Sequence, residues 1–321
     1  MTRRDFVSRI ACAASALIPP LGASCTFKVE PPTRVGAIVW PGYECLFLAR
    51  ELGFLDQVPI KLVEYHTAPE AIRNFLNGAL EVVAVTGDEF LRIAAVEPSA
   101  RAFLVTDFSN GADALLARPG IDCVTKLAGR KVGVQVNATG VFILTRALAS
   151  AEMTARDIQI VPVDTDQQVG AFERGEVDAV ITFDPHRTKI LKMGGQALFD
   201  TSSIPYEQSD FLVARAETLR EHAGRIESLT RAWFQARDFL KREPRRASEM
   251  ISPREGITPE DFLKSLQLLA LPSLEENRQL LSNPESDLMT GLRRVHEVLR
   301  DHGKLAVVEP KIEMLTTGAL R

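Results

Sequence analysis

Aromatic, acidic and hydroxyl side chains recur in this chain where apolar runs stop. Trp40-Pro41-Gly42-Tyr43-Glu44 places two large aromatics and a carboxylate on a turn that Pro and Gly make sharp. Tyr65-His66-Thr67 ends a second run, Thr86-Gly87-Asp88-Glu89 a third, and Asp107-Phe108-Ser109-Asn110-Gly111, with Asp113 just beyond, a fourth. Later come Asn137 to Gly140, then Asp164 and Thr165, then Thr182-Phe183-Asp184-Pro185. Such a set is suited to holding a small ligand. Trp40 and Tyr43 offer flat apolar platforms, and the small-residue turn at Thr139 offers free backbone N–H groups that would receive a carboxylate or sulfonate. Two acids beside aromatics oppose a simple anion such as nitrate. They favour an amine or amino-heterocycle, with a cation–π contribution of roughly 0.5–2 kcal/mol. The candidate ligand contacts are Trp40, Tyr43, Glu44, Thr86, Asp88, Asp107, Ser109, Thr139 and Asp184. Several have competing local roles. Glu44 suits the first turn of a helix, worth roughly 0.3–1 kcal/mol through the dipole. Asp88 and Thr139 suit helix N-caps, and Asp184 suits a cap followed by Pro at the first helical position.

The elements that must position these residues alternate between two periods. "VGAIVW", "IKLVEY", "EVVAVT" and "ARAFLVTD" read as strands, and "ECLFLAREL", "APEAIRNFLNG" and "DEFLRIAAV" as the helices between them. This order predicts parallel β-α-β units with helices on both faces. Ligands in such sheets lie beyond the carboxyl ends of the strands, where the candidates sit. A break at Pro119-Gly120 starts a second β-α series running from "KVGVQV" to "QALFD". After "TSSIPYEQSD", "FLVARAE" reads as a returning strand, and from Ala216 the pattern is helical. Ile226, Leu229, Trp233, Ala236 and Leu240 share one helical face, so Trp233 is expected in the core. The expected fold class is α/β, with two lobes. The first lobe takes residues 34–115 and, after the return, 213–321 with the C-terminal helices packed on it. The second lobe, 116–212, is inserted between them, and the cleft between lobes holds the ligand.

The 321 residues carry a formal net charge of −4, with 45 % hydrophobic and 25 % charged residues. That balance fits a globular chain and argues against a nucleic-acid partner. "KREPRR", Lys241 to Arg246, reads as a solvated helix end. Residues 1–25 are expected to be an export signal. Arg3-Arg4 and Phe6 precede a short apolar stretch, too short for a bilayer span of about 20 residues. "TRRDFV" resembles a twin-arginine signal. "LGASC" suggests lipidation of Cys25, although Leu21 stands four residues before the cysteine rather than three. Cys45 and Cys123 have no metal-type spacing and are expected to be buried free thiols.

"VWPGYECLFLARELGF", "VTGDEFLRIA", "DFSNGADALLARPGI", "LAGRKVGV", "VDAVITFDPHRTKI", "LFDTSSIP" and "LPSLEENRQLL" resemble, in order, segments of the solute-binding proteins of ABC transporters. The similarity is to the branch labelled aliphatic sulfonate, taurine, nitrate or thiamine-pyrimidine-precursor binding. It implies a type II periplasmic-binding fold, capture of a small molecule outside the cytoplasmic membrane, and delivery to ABC permease subunits. No cofactor or metal is implied, and a monomer is expected. Cys45 stands where relatives commonly have proline, and His186 where an apolar residue is commoner. Both adjoin the expected cleft, so the ligand is read from strand-end chemistry, which favours a small nitrogen-containing organic molecule over a sulfonate. Two alternatives stay open. The same fold serves sensory modules that act on a membrane receptor. It also hosts a few enzymes, for which His66, His186 and the carboxylates would supply acid/base groups. The export signal and the lack of any nucleophile or metal motif weigh against an enzyme.

Overall fold

The computed structural model describes residues 30–136, 139–301 and 306–320. The Arg3-Arg4 pair and Cys25 lie outside them, as do Asn137 and Ala138. The chain opens with β1 (Thr33–Ile38), α1 (Glu44–Glu51), β2 (Ile60–Tyr65), α2 (Ala68–Leu76), β3 (Val82–Thr86), α3 (Gly87–Val96) and β4 (Ala100–Ser109). It continues through β5 (Asp113–Ala117), β6 (Lys131–Val134), α4 (Thr139–Ala149), β7 (Gln159–Pro162), α5 (Gln168–Glu173), β8 (Ala179–Phe183), α6 (His186–Lys192) and β9 (Gln196–Asp200). It returns as β10 (Ser209–Arg215), followed by α7 (Ala216–Glu221), α8 (Ala223–Arg242), α9 (Pro244–Glu255) and α10 (Pro259–Leu266). The last elements are β11 (Leu269–Ala270), α11 (Leu274–Ser282) and α12 (Asp287–Asp301).

The helices start and stop where local chemistry allows. The Glu89 carboxylate accepts the Thr86 N–H at 3.1 Å and so closes the first turn of α3. Ser273 and Glu276 do the same reciprocally at α11, with N–H bonds of 2.6 and 3.2 Å, a capping box that satisfies two otherwise orphaned donors. Gly256 ends α9 at φ 63°, the left-handed turn that costs glycine least. Trp233 is fully buried on α8, with Ile226, Leu229, Ala236 and Leu240 on the same buried face.

Two sheets result. The first is six-stranded in the order β11-β4-β10-β3-β1-β2, and the second five-stranded in the order β7-β6-β8-β5-β9. β1 is parallel to β2 and β3, with Val35 opposite Leu62 and Val82. β6 is parallel to β7 and β8. β10 runs antiparallel to β3 and β4, and β5 antiparallel to β8 and β9. These inversions follow from the connectivity. Each strand that precedes a crossing ends at the cleft, so the strand after the crossing starts there and runs the other way.

The crossings fall closer to the cleft than the sequence boundaries of 115/116 and 212/213. β5 belongs wholly to the second sheet, so the first passage lies at residues 110–112. β10 belongs wholly to the first, so the second passage lies at residues 201–208. "DALLA" is apolar and buried throughout, and composition does not tell which sheet such a strand joins. The C-terminal helices pack mainly on the first sheet's side, α8 against α1, α11 against β4 and α12 against α3, with α12 also touching α4. Cys45 and Cys123 are free. Cys45 is buried as expected, whereas Cys123 is exposed, because it lies in the loop before Val124 rather than in an element.

Candidate functional site

Between the two sheets lies a cavity of about 40 Å³. The first sheet and its loops contribute Ile38, Trp40, Tyr43, Ala68, Ala84, Thr86, Glu89, Gln208 and Asp210. The second contributes Asp113, Gln135, Thr139, Gly140, Ile143, Thr165, Gln168, Ile181 and Phe183. Ile38, Thr165 and Phe183 also line an outer recess of about 250 Å³ that includes His66, His186, Lys189, Arg254 and Glu255.

The Trp-Pro-Gly-Tyr turn is a single 3-10 turn, Pro41–Tyr43, set between β1 and α1. The Trp40 indole N–H donates to Asp107 Oδ2 at 3.3 Å, and its ring meets Phe183 edge to face at 5.5 Å. Phe183 ends β8, so this contact spans the two sheets. A Cβ on Gly42 would overlap the Asp107 carboxylate and the Trp40 indole nitrogen. Glycine is therefore required for the turn to close over Asp107. The Tyr43 hydroxyl donates to Asp210 Oδ1. A second contact between the sheets brings the Thr86 and Thr139 hydroxyls within 2.8 Å of each other and within 2.6 and 2.8 Å of Asp88 Oδ1, three contacts served by the two hydroxyl protons.

Of the nine candidate contacts, Trp40, Tyr43, Thr86 and Thr139 line the cavity. The other five do not, each for a local reason. Asp88 lies one hydrogen bond behind the wall, spent on the two threonines. Asp107 sits beneath Trp40 and also accepts the Thr106 hydroxyl at 3.1 Å. Ser109 bonds the Thr201 hydroxyl at 2.7 Å and thereby ties the two crossings together. Asp184 accepts the Thr188 N–H at 2.9 Å in the first turn of α6. Pro185 there occupies the capping position rather than the first helical one. Glu44 is turned away, buried 3.4 Å from the Arg254 guanidinium, which also reaches Glu64 at 2.9 Å and stacks 3.4 Å over Phe47. Burial pushes Glu44 up to about 7 against the pull of Arg254. Glu44 anchors α9 to α1.

Sequence reading placed Glu89, Asp113, Thr165 and Phe183 at strand ends without selecting them, and it missed Gln135, Gln168, Gln208 and Asp210. The missed signal was the inversion of β5 and β10. Asp113 and Asp210 stand at the starts of strands, and in these two strands the start faces the cleft. Burial pushes Asp113 up to about 7, and burial together with Asp88 does the same to Glu89. Burial and the nearby Asp107 hold Asp210 well above the carboxylate range, and burial and Asp210 raise the Tyr43 phenol. Asp107 is also pushed up to about 7 by burial. In the outer recess, burial pushes His186 down to about 4, so it is neutral near pH 7.

The sequence profile of the NMT1-like family matches residues 29–252. A putative binding protein of Brucella abortus (strain 2308) is 26 % identical over 268 residues, 78 % of each chain. A putative aliphatic sulfonates-binding protein of Bacillus subtilis (strain 168) is 22 % identical over 240 residues, 72 % of each chain. Among solved structures, the alkanesulfonate-binding protein SsuA from Xanthomonas axonopodis pv. citri, bound to MOPS, superposes with a TM-score of 0.73 at 16 % identity. That match covers 89 % of this chain and 99 % of the other, and it establishes a shared periplasmic-binding fold.

Proposed function

This chain belongs to the NMT1-like family, and from that premise we propose that it is an extracytoplasmic solute-binding protein. It closes two lobes on a small polar organic molecule and presents it to the permease of an ABC importer. The observation that carries this reading is a cavity walled from both sheets, with Trp40 on Phe183 and Thr86 on Thr139 joining its sides. A cavity of about 40 Å³ is far below the several hundred Å³ of ordinary ligand pockets. A solute of ordinary size fits only if the sheets part, which suits a protein that traps and releases its ligand.

The relatives named for sulfonates suggest an anionic solute. The lining of this cavity favours a nitrogen-containing one, since Glu89, Asp113 and Asp210 face it and its described lining includes no lysine, arginine or histidine. The relatives are named as binding proteins. Those names favour binding without turnover. The protein acts as a monomer, is exported through the Arg3-Arg4 signal, and carries its lipid, if anchored, on Cys25.

A thermal-shift screen of the mature protein against amines, sulfonates, nitrate and pyrimidines tests the reading, since a ligand that binds only the native state raises the melting temperature. A rise with at least one class is expected. No rise with any class would contradict solute capture. Replacing Arg3 and Arg4 with Lys should leave precursor in the cytoplasm. Unchanged export, followed by fractionation, would contradict the twin-arginine route.

A further inference from the structure

The cavity wall is unbalanced in its hydrogen-bonding groups. Among the described residues, its buried side-chain atoms without a partner are three acceptors, Asp113 Oδ2, Asp210 Oδ2 and Gln168 Oε1, and one donor, Gln135 Nε2. Gln135 is oriented by the Thr165 hydroxyl, which donates to its Oε1 at 3.0 Å. Asp210 is oriented by Tyr43, which occupies its other oxygen. Both unpartnered carboxylates are nine-tenths buried or more. Leaving such buried acceptors unpaired is costly. An occupant rich in donors can pair with all three acceptors once the acids give up their protons, whereas an anion brings only further acceptors and holds those protons in place.

We propose that the occupant is a small organic cation presenting several N–H donors, the head of a protonated amine or an amidinium, and that Asp113 and Asp210 take its charge. The inference rests on the solute-capture reading and names the substrate class of that same cavity. A quaternary ammonium carries the charge without the donors, so it leaves the acceptors unpaired. The volume suits a head group of a few heavy atoms.

Capture of such a cation is linked to protons. Asp113 has Asp184, Asp88 and Arg187 near it beside the Ser109 hydroxyl, and Asp210 has Asp107, Asp113, Glu89 and Tyr43. In these acid-rich surroundings a buried carboxyl holds a proton near neutrality. The incoming cation replaces that proton, which leaves to the buffer, so affinity rises with pH.

The test is calorimetric titration with ethylammonium chloride, tetramethylammonium chloride and sodium ethanesulfonate, against potassium chloride at matched ionic strength. It uses the wild type, Asp113→Asn and Asp210→Asn, with circular dichroism and melting curves for each. Ethylammonium is expected to bind, more tightly at about pH 8 than at about pH 6. Tetramethylammonium should bind about tenfold more weakly or worse, a difference of ~1.4 kcal/mol or more. Either substitution should weaken ethylammonium by a similar factor while the melting temperature holds or rises. Binding of ethanesulfonate but not ethylammonium would overturn the cation assignment and leave solute capture standing. Equal affinity of the wild type and both folded variants for ethylammonium would overturn the role of the two aspartates. Silence with every probe would contradict the cation assignment, and a thermal-shift response to another class would then keep the capture reading.

Discussion

At the scale of single residues, the cavity is a set of buried acids whose stability and function pull in opposite directions. Asp107, Asp113 and Glu89 are pushed up to about 7 by burial, and Asp210 is raised well above its ordinary value by burial and the nearby Asp107. A carboxyl with its folded pKa raised stabilises the fold fully below its unfolded value of about 4, and that stability is lost as pH rises through about 7. The ligand-free protein should therefore melt at a higher temperature near pH 5 than near pH 8, by differential scanning calorimetry. The Asp113→Asn variant should show a shallower fall. A melting temperature that climbs steadily over that range would mean these acids are ionised in the free protein. Trp40 serves two roles, since it is buried and lines the cavity. Its truncation to Ala should cost about 3–5 kcal/mol of stability as well as affinity. The sequence offers Trp40 as a platform, and a turn residue gives no sign of the carboxylate buried beneath it. Asp107 approaches from 67 positions away.

At the scale of elements, two junctions set the geometry of the site. Gly42 lets the Pro41–Tyr43 turn lie on Asp107, and Gly42→Ala should cost about 1–3 kcal/mol through overpacking, measured by chemical denaturation. A neutral result would show that the turn has room to shift. On the other edge of β4, Asn277 of α11 stands in for a neighbouring strand. It accepts the Val105 N–H at 2.8 Å and donates to the Val105 carbonyl at 3.1 Å. Asn277→Leu strands both backbone groups and should cost about 1–3 kcal/mol or more. The alternation of strands and helices was legible in the sequence because apolar runs and helical stripes differ in period, and so were the strand ends that carry Trp40, Tyr43, Thr86 and Thr139. The direction of β5 and β10 was not, since a short strand with an apolar centre, five residues in β5 and seven in β10, looks the same either way up. The sequence therefore does not show that Asp113 and Asp210 face the cleft, nor that Ser109, the last residue of β4, bonds Thr201 across the two crossings.

At the scale of the whole molecule, two sheets joined by residues 110–112 and 201–208 wall a cavity of about 40 Å³ from both sides. The crossings are held by the Ser109–Thr201 hydroxyl pair and by Arg146 of α4, which reaches Glu207 at 2.7 Å. Opening must separate Trp40 from Phe183 and Thr86 from Thr139, and both contacts lie at the cavity wall. The ligand then supplies the free energy that favours the closed state, as a molecule binding one of two conformations better must. The most direct measurement is small-angle X-ray scattering of the mature protein, free and saturated with whichever compound gives the largest melting shift. The account predicts a larger radius of gyration for the free protein than for the closed structure, and contraction to the closed value on saturation. An unchanged scattering curve, with binding verified on the same sample by calorimetry, would contradict capture between the lobes.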